Sequence, residues 1–213
     1  MPNLKFLKNK TTKIIGIGLN YKDHAKELSL KIPDEPIIFL KPLTTLIGNE
    51  DYIFLPEMSN RVDYEGELAV IIKNKIKDIS EKDAMKNIEG FCCANDVTAR
   101  DLQSKDIQWT RAKSFDTFFA VGPKIVKNLN PNNLKIQTFL NGELKQNSNT
   151  KNFIFPVEKI VSFVSRIMTL FPGDIITTGT PSGIGAMKSG DVVEVKIEGI
   201  GILRNCVGLC RKS

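Results

Sequence analysis

Residues 61–72 read Arg-Val-Asp-Tyr-Glu-Gly-Glu-Leu-Ala-Val-Ile-Ile, and this stretch constrains the fold more than any other. It is a strand by composition, since it ends in an apolar, partly β-branched run. Alternation puts Glu65, Glu67, Ala69 and Ile71 on one face and Gly66, Leu68, Val70 and Ile72 on the other. The second half is apolar on both faces, which marks a buried strand rather than a sheet edge. Two carboxylates then share one face, about 6–7 Å apart, at the mouth of that strand. Uncompensated, each raises the other's pKa and neither readily leaves water. A divalent cation held between them removes the conflict. Two glutamates that simply face solvent avoid it, so the choice rests with the rest of the chain.

A length of 213 residues suits one sizeable core, so residues 1–213 are expected to form a single catalytic domain with residues 1–12 as an N-terminal extension. No apolar run approaches the roughly 18 residues of a membrane span, and no signal peptide is visible. A cytoplasmic protein with no membrane partner is expected. The four cysteines (Cys92, Cys93, Cys206 and Cys210) read as reduced thiols. Cys92 and Cys93 are strand neighbours that point to opposite faces, which makes them poor joint ligands; a zinc site built from all four is the lesser alternative. The net charge of +6 is spread along the chain, and only the ends (Lys5, Lys8, Lys10; Arg211, Lys212) are locally basic. Nucleic-acid binding normally needs clustered charge with interleaved aromatics, so steering of a small anionic substrate is the better use of this balance.

Residues 13–19 read as a strand ending in Gly16-Ile17-Gly18, a dinucleotide fingerprint without its third glycine. Residues 20–28 suit a short polar helix that Asn20 can cap. Residues 37–41 form a strand stopped by Pro42, with loop and short strands up to Pro56. Ser80-Glu81-Lys82-Asp83 and Thr98-Ala99-Arg100-Asp101 are capping-box signatures, the second opening a helix from Arg100 to about Asp106. Between the two, residues 90–97 make an apolar strand carrying Asp96 near its end, and residues 109–119 look like loop. Asn141-Gly142 signals a type I′ hairpin. Pro156 opens the clearest helix, with Val157, Ile160, Val161, Val164, Ile167 and Met168 as its apolar stripe, and Pro172-Gly173 follows its end. Three more strands are centred near Ile175, Val193 and Ile202. Many short strands with a few short helices and no interdomain linker predict an α+β fold dominated by mixed β-sheet.

Asp96 also ends a buried apolar strand, where an unpaired carboxylate is expensive. Three carboxylates without a nearby histidine make a hard, all-oxygen site, suited to Mg²⁺ or Mn²⁺ and unsuited to zinc. His24 is the only histidine, so any imidazole base in this chain is His24.

Several further motifs occur in order. They are Gly18-Leu19-Asn20-Tyr21-x-x-His24-x-x-Glu27, Phe39-Leu40-Lys41-Pro42, Asp63-Tyr64-Glu65-x-Glu67-Leu68, Asn95-Asp96-Val97-Thr98-Ala99-Arg100-Asp101, Ala112-Lys113-Ser114-Phe115-Asp116 and Thr178-Gly179-Thr180-Pro181-x-Gly183-x-Gly185. On these the chain resembles the fumarylacetoacetate hydrolase family, in the short single-domain form that includes acylpyruvases. The likeness runs from about Ile14 to Val207. It implies a mixed β-sandwich roll with short peripheral helices, and a homodimer. It implies Mg²⁺ or Mn²⁺, with Ca²⁺ as a crystal stand-in, on Glu65, Glu67 and Asp96. It implies a His24–Glu27 dyad on a helix that closes over the ligand, and Lys113 as a catalytic residue. Lys41, Arg100, Gln103 and Thr180 are implied to line the substrate site. The expected reaction is hydrolysis of a carbon–carbon bond in a β-diketo acid of acylpyruvate or fumarylpyruvate type, through a metal-stabilised pyruvate enolate. Oxaloacetate decarboxylation and 2-hydroxyhepta-2,4-diene-1,7-dioate isomerisation are the neighbouring alternatives. From other classes, a basic nucleic-acid-binding module and an inactive ligand-binding homologue remain. Without the resemblance, each site residue has a plainer reading: an exposed His24–Glu27 pair, a solvated Lys113, surface Arg100 and Gln103, and a simple turn at residues 178–181.

Overall fold

A computed structural model of the chain describes residues 4–7, 11–27 and 29–209. The expectations for Lys8, Lys10, Leu28, Cys210, Arg211 and Lys212 fall outside those residues. The fold is mixed β with short helices, as expected. A seven-stranded sheet runs in the order Ile37–Lys41, Ile14–Gly18, Ile175–Thr177, Gly66–Ile72, Ile88–Asp96, Phe119–Val126, Leu46–Ile47. A five-stranded sheet runs Glu143–Asn149, Lys135–Leu140, Val192–Ile197, Gly201–Leu209, Tyr52–Leu55. A small third sheet joins Gly185–Ala186, Val62–Tyr64 and Thr98–Ala99. Among the described residues no helix is long and apolar enough to cross a membrane.

The Gly66–Ile72 strand lies inside the large sheet and is buried along its whole length. Leu68, Val70 and Ile72 enter the main core, while Ala69 and Ile71 enter a second apolar cluster with Ile14, Phe119 and Ile175. Cys93 and Cys92 divide between the same two clusters, as opposite-facing neighbours should, and Cys206 is also a free thiol. The hairpin at Asn141-Gly142 joins the Lys135–Leu140 and Glu143–Asn149 strands. Its φ values of 54° and 80° are the left-handed pair that a type I′ turn requires. The Val157–Ile167 helix buries Val157, Ile160, Val161 and Val164, but Ile167 is half exposed and Met168 follows the last turn.

Five local expectations are corrected. The 61–72 stretch is two strands, because the Glu65 N–H donates to the Asn95 side-chain oxygen (2.9 Å) instead of continuing a ladder. Asn20 is no cap. Its amide nitrogen donates to the carbonyls of Phe155 (3.2 Å) and Thr178 (2.8 Å), its oxygen accepts from the Phe155 N–H (2.8 Å), and the helix is Lys22–Glu27. Neither capping box closes on its helix. The Ser80 hydroxyl donates to Asp83 (2.9 Å), and the Thr98 hydroxyl to the Asp96 carbonyl (2.9 Å). The second helix still forms where expected, over Arg100–Lys105. Residues 109–119 contain a short helix, Thr110–Lys113, which carries Lys113.

Candidate active site

The break at Glu65 brings the acidic groups together. The Asp96 N–H donates to the Glu65 carbonyl (2.9 Å), tying the end of one central strand to the turn out of another. Glu65, Glu67 and Asp96 are all buried, and one oxygen from each lies within 4.8 Å of the others. Glu67 Oε2 accepts from the Thr177 hydroxyl and from the Gly179 N–H (2.7 Å). Gly179 has φ +89°, and a Cβ there would sit 2.9 Å from that of Asn20, so glycine is what presents this N–H.

Three buried or half-buried cations surround the carboxylates. Lys113 Nζ donates to Glu65 Oε2 (2.8 Å) and Asp96 Oδ2 (2.7 Å). Lys41 donates to the Lys113 carbonyl, and its Nζ lies 2.6 Å from Asp96 Oδ1 as an ion contact without hydrogen-bond alignment. Arg100 donates from Nε to Asp63 (2.9 Å) and from its other nitrogens to Glu65 and Gln103, while Arg61 closes on the far oxygen of Asp63 (2.9 Å).

The electrostatics of the three carboxylates are unequal. Burial opposes ionisation of Glu65, but Lys113 and Arg100 outweigh it and hold its carboxyl down at about 2. Burial, then Asp96 and Glu65, push Glu67 well above the ordinary carboxylate range. Burial works against the Lys113 ammonium, yet Asp96, Glu65 and Glu67 raise its pKa. Lys41 is lowered by burial in spite of Asp96. Glu67 is therefore the carboxylate without an ion pair of its own, and among the described residues no donor reaches its Oε1. A hard divalent cation held by the three oxygens would offset this charge, and the all-oxygen donor set fits Mg²⁺ or Mn²⁺.

The opposite wall is the Lys22–Glu27 helix. His24 is buried, and its Nδ1 lies 2.9 Å from Glu27 Oε2. That contact selects the tautomer with the proton on Nδ1 and leaves Nε2 for the cleft. Glu27 Oε1 accepts from the Gly183 N–H (3.0 Å), which ties the helix to the 178–185 loop.

One cleft of about 420 Å³ takes in His24, the three carboxylates, Arg100, Gln103, Lys113 and Thr180. Glu27 backs His24 from outside that lining. Lys41 sits behind the floor, on Asp96 and the Lys113 carbonyl, rather than in the cleft. Arg100 spends its nitrogens on protein oxygens, so it braces Glu65. The Thr180 hydroxyl is likewise committed: it donates to the Gly66 carbonyl (3.0 Å) and accepts from Gln146 (2.8 Å). Sequence reasoning missed Asp63, Asn95, Thr177 and Gln146. Asp63 and Asn95 stand beside predicted ligands and were within reach. Gln146 has no local signal, since its hairpin strand reads as merely polar.

A family model, Fumarylacetoacetate (FAA) hydrolase C-terminal, matches residues 13–208. The chain belongs to the fumarylacetoacetate hydrolase family. It is 63% identical over 198 residues to an uncharacterized protein of Methanocaldococcus jannaschii, a match that covers 93% of this chain and 84% of that one. It is 44% identical over 207 residues to the mitochondrial oxaloacetate tautomerase FAHD2B of Bos taurus, covering 92% and 66%. The crystal structure of 2-hydroxyhepta-2,4-diene-1,7-dioate isomerase from Mycobacterium marinum is similar with a TM-score of 0.88 at 44% identity, covering 95% and 76%. Fumarylpyruvate hydrolase from Pseudomonas aeruginosa, solved with Mn²⁺ and pyruvate, is similar with a TM-score of 0.89 at 30% identity, covering 94% and 91%. The family thus includes hydrolases, isomerases and tautomerases.

Proposed function

We propose that this chain is a cation-dependent hydrolase of the carbon–carbon bond in a small acylpyruvate. The observation that carries the reading is His24, backed by Glu27 (2.9 Å), in the same cleft as the three buried carboxylates. Mg²⁺ or Mn²⁺ held by Glu65, Glu67 and Asp96 would supply Lewis-acid stabilisation for the oxygens of a 2-oxo acid. Glu27 keeps the proton of His24 on Nδ1, so Nε2 takes a proton from water. The water oxygen bonds to the distal acyl carbon. The bond from that carbon to the central methylene breaks, and its electron pair leaves on pyruvate enolate. The proton held by His24 returns to the enolate carbon, giving pyruvate and a carboxylic acid. The Lys113 ammonium is assigned to the enolate charge.

The lining supports a preference for one kind of acyl group. The Phe39 ring lies 5.2 Å from Lys113 Nζ, and the Trp109 ring lies 5.6 Å from Phe39, so an aromatic wall leads away from the charged floor. With Arg100 already spent on three oxygens, that wall suits a short apolar acyl group better than a second carboxylate.

A second reading, keto–enol tautomerisation of oxaloacetate, is favoured by the 44% identity to the bovine tautomerase against 30% to the fumarylpyruvate hydrolase. There His24 would shift a proton between C3 and the 2-oxo oxygen, and no water is consumed. Chelator-stripped protein resupplied with Mg²⁺ or Mn²⁺ should be assayed on acylpyruvates, oxaloacetate and 2-hydroxydienoates. Pyruvate and carboxylic acid released in equal amounts from an acylpyruvate support the first reading. Rapid equilibration of oxaloacetate with untouched acylpyruvates replaces it by the second. Inactivity on the whole panel overturns both.

A further inference from the structure

The Glu143–Asn149 strand belongs to the five-stranded sheet, yet its side chains reach both halves of the cleft. Gln146 is fully buried and uses every position on its amide. Its nitrogen donates to the Thr180 hydroxyl and the Pro181 carbonyl (2.8 Å each). Its oxygen accepts from the Gly66 N–H (3.0 Å) and the Thr138 hydroxyl (2.6 Å). Gly66 is the residue between Glu65 and Glu67, and a Cβ there would lie 2.1 Å from the Thr138 hydroxyl oxygen, so the amide meets bare backbone. Two residues on, the Ser148 hydroxyl donates to Asp23 Oδ2 (2.6 Å). The other oxygen of Asp23 accepts from the His24 N–H (2.9 Å). Between Leu144 and Gln146 the register slips, leaving Lys145 as an extra residue, and a bulge of this kind re-aims its neighbours. The Lys145 carbonyl would lie 2.3 Å from a Cβ on Gly183, the residue whose N–H meets Glu27.

The geometry points to the Glu143–Asn149 strand as the spacer that sets the distance between the His24 base and the carboxylate floor. Gln146 is a positioning residue for Glu65 and Glu67 through the Gly66 backbone, and Ser148 is a positioning residue for His24 through Asp23. A single strand acting on both is stiffer than two separate loops, because a shift of either element must distort a sheet ladder. A misplacement of about 1 Å between base and reacting atoms is enough to cost a large share of the rate. The effect on catalysis rests on the hydrolase reading above, whereas the effect on geometry does not.

Two readouts that need no substrate test the assignment: Mn²⁺ affinity by calorimetry, and hydrogen exchange of the 22–27 amides. Gln146→Met is expected to weaken Mn²⁺ binding about tenfold, the usual size for a group that orients ligands, and to leave the helix exchange unchanged. Should that variant not fold, Thr138→Val removes one bond to Gln146 and is expected to weaken Mn²⁺ about threefold. Ser148→Ala is expected to speed exchange at residues 22–27 about fivefold without changing Mn²⁺ affinity. On whichever substrate the wild type turns over, Ser148→Ala lowers kcat and leaves KM within about twofold. A Gln146 variant that leaves Mn²⁺ affinity unchanged, or a Ser148 variant that leaves the helix exchange unchanged, overturns the spacer. A wild type that binds Mn²⁺ but turns over nothing removes the hydrolase reading and leaves the spacer to its own two measurements. A wild type that binds no Mn²⁺ overturns both.

Discussion

The carboxylate floor and the short helix carrying His24 face the same cleft but are held there by different means. Glu67 rides on a strand paired on both sides and buried along its length. Its backbone cannot shift without breaking two ladders, so the cost stored on the floor is electrostatic. The Lys22–Glu27 helix has six residues, too few to persist alone, and depends on the bonds that Asp23 accepts from Ser148 and Glu27 from Gly183. Its cost is conformational. Changes on the floor should therefore act first through cation affinity, and changes on the helix through proton transfer.

The largest effect is expected on the floor. Glu65→Gln or Glu67→Gln removes a hard ligand and should abolish turnover while lowering Mn²⁺ affinity at least about a hundredfold. Calorimetry with a matched activity assay checks both. Full activity in protein stripped with EDTA and given no cation would refute the floor's role outright.

Next comes His24, the proposed base. His24→Ala should cost about 10²–10⁴-fold in acylpyruvate hydrolysis. The loss in any oxaloacetate decarboxylation should be much smaller, since that reaction needs no activated water. Mn²⁺ affinity should be unchanged, which separates helix from floor. An equal loss in the two activities would make His24 a substrate-holding or closing residue instead.

Lys113 belongs to the floor by contact, through bonds to Glu65 and Asp96, yet its assigned work is on the leaving enolate. Lys113→Met should lower kcat about a hundredfold, the order for loss of one preorganised charge. It also strips Glu65 and Asp96 of their shared partner, so the measurement belongs at saturating cation. Near-normal turnover would confine Lys113 to neutralising its two neighbours.

The same contrast explains what could be read in advance. Strands such as Ile37–Lys41, the Asn141-Gly142 turn and the helix after Pro156 are written in local chemistry, and local chemistry decided them. The floor was legible because a carboxylate inside an apolar run is costly wherever the strand goes. What failed was the assignment of polar side chains as helix caps. Asn20 reaches across the chain to Phe155 and Thr178, whereas Ser80 and Thr98 stay local but turn to the Asp83 side chain and the Asp96 carbonyl. The break at Glu65 depends on a bond from its N–H to Asn95, and the Gln146 network on bonds with Gly66 and Thr180, across separations of at least 30 residues. No window of sequence contains them.

The smallest effect is expected from Glu27→Gln, and its direction follows from what each oxygen does. In Glu27 one oxygen faces His24 Nδ1 and the other accepts from the Gly183 N–H, so both positions require acceptors. Glutamine offers one acceptor and one donor. If its oxygen turns to His24, the amide NH₂ opposes the Gly183 N–H and the helix loses its tie to the loop. If its oxygen turns to Gly183, the NH₂ faces Nδ1 and favours the tautomer that puts the proton on Nε2, which disables the base. Either outcome leaves the imidazole in place, so the loss should stay near tenfold, below that of His24→Ala. Hydrogen exchange of the 22–27 amides distinguishes the two: faster exchange marks the broken tie, unchanged exchange with a lower kcat marks the tautomer. Wild-type values in both measurements would return Glu27 to an ordinary exposed neighbour of His24.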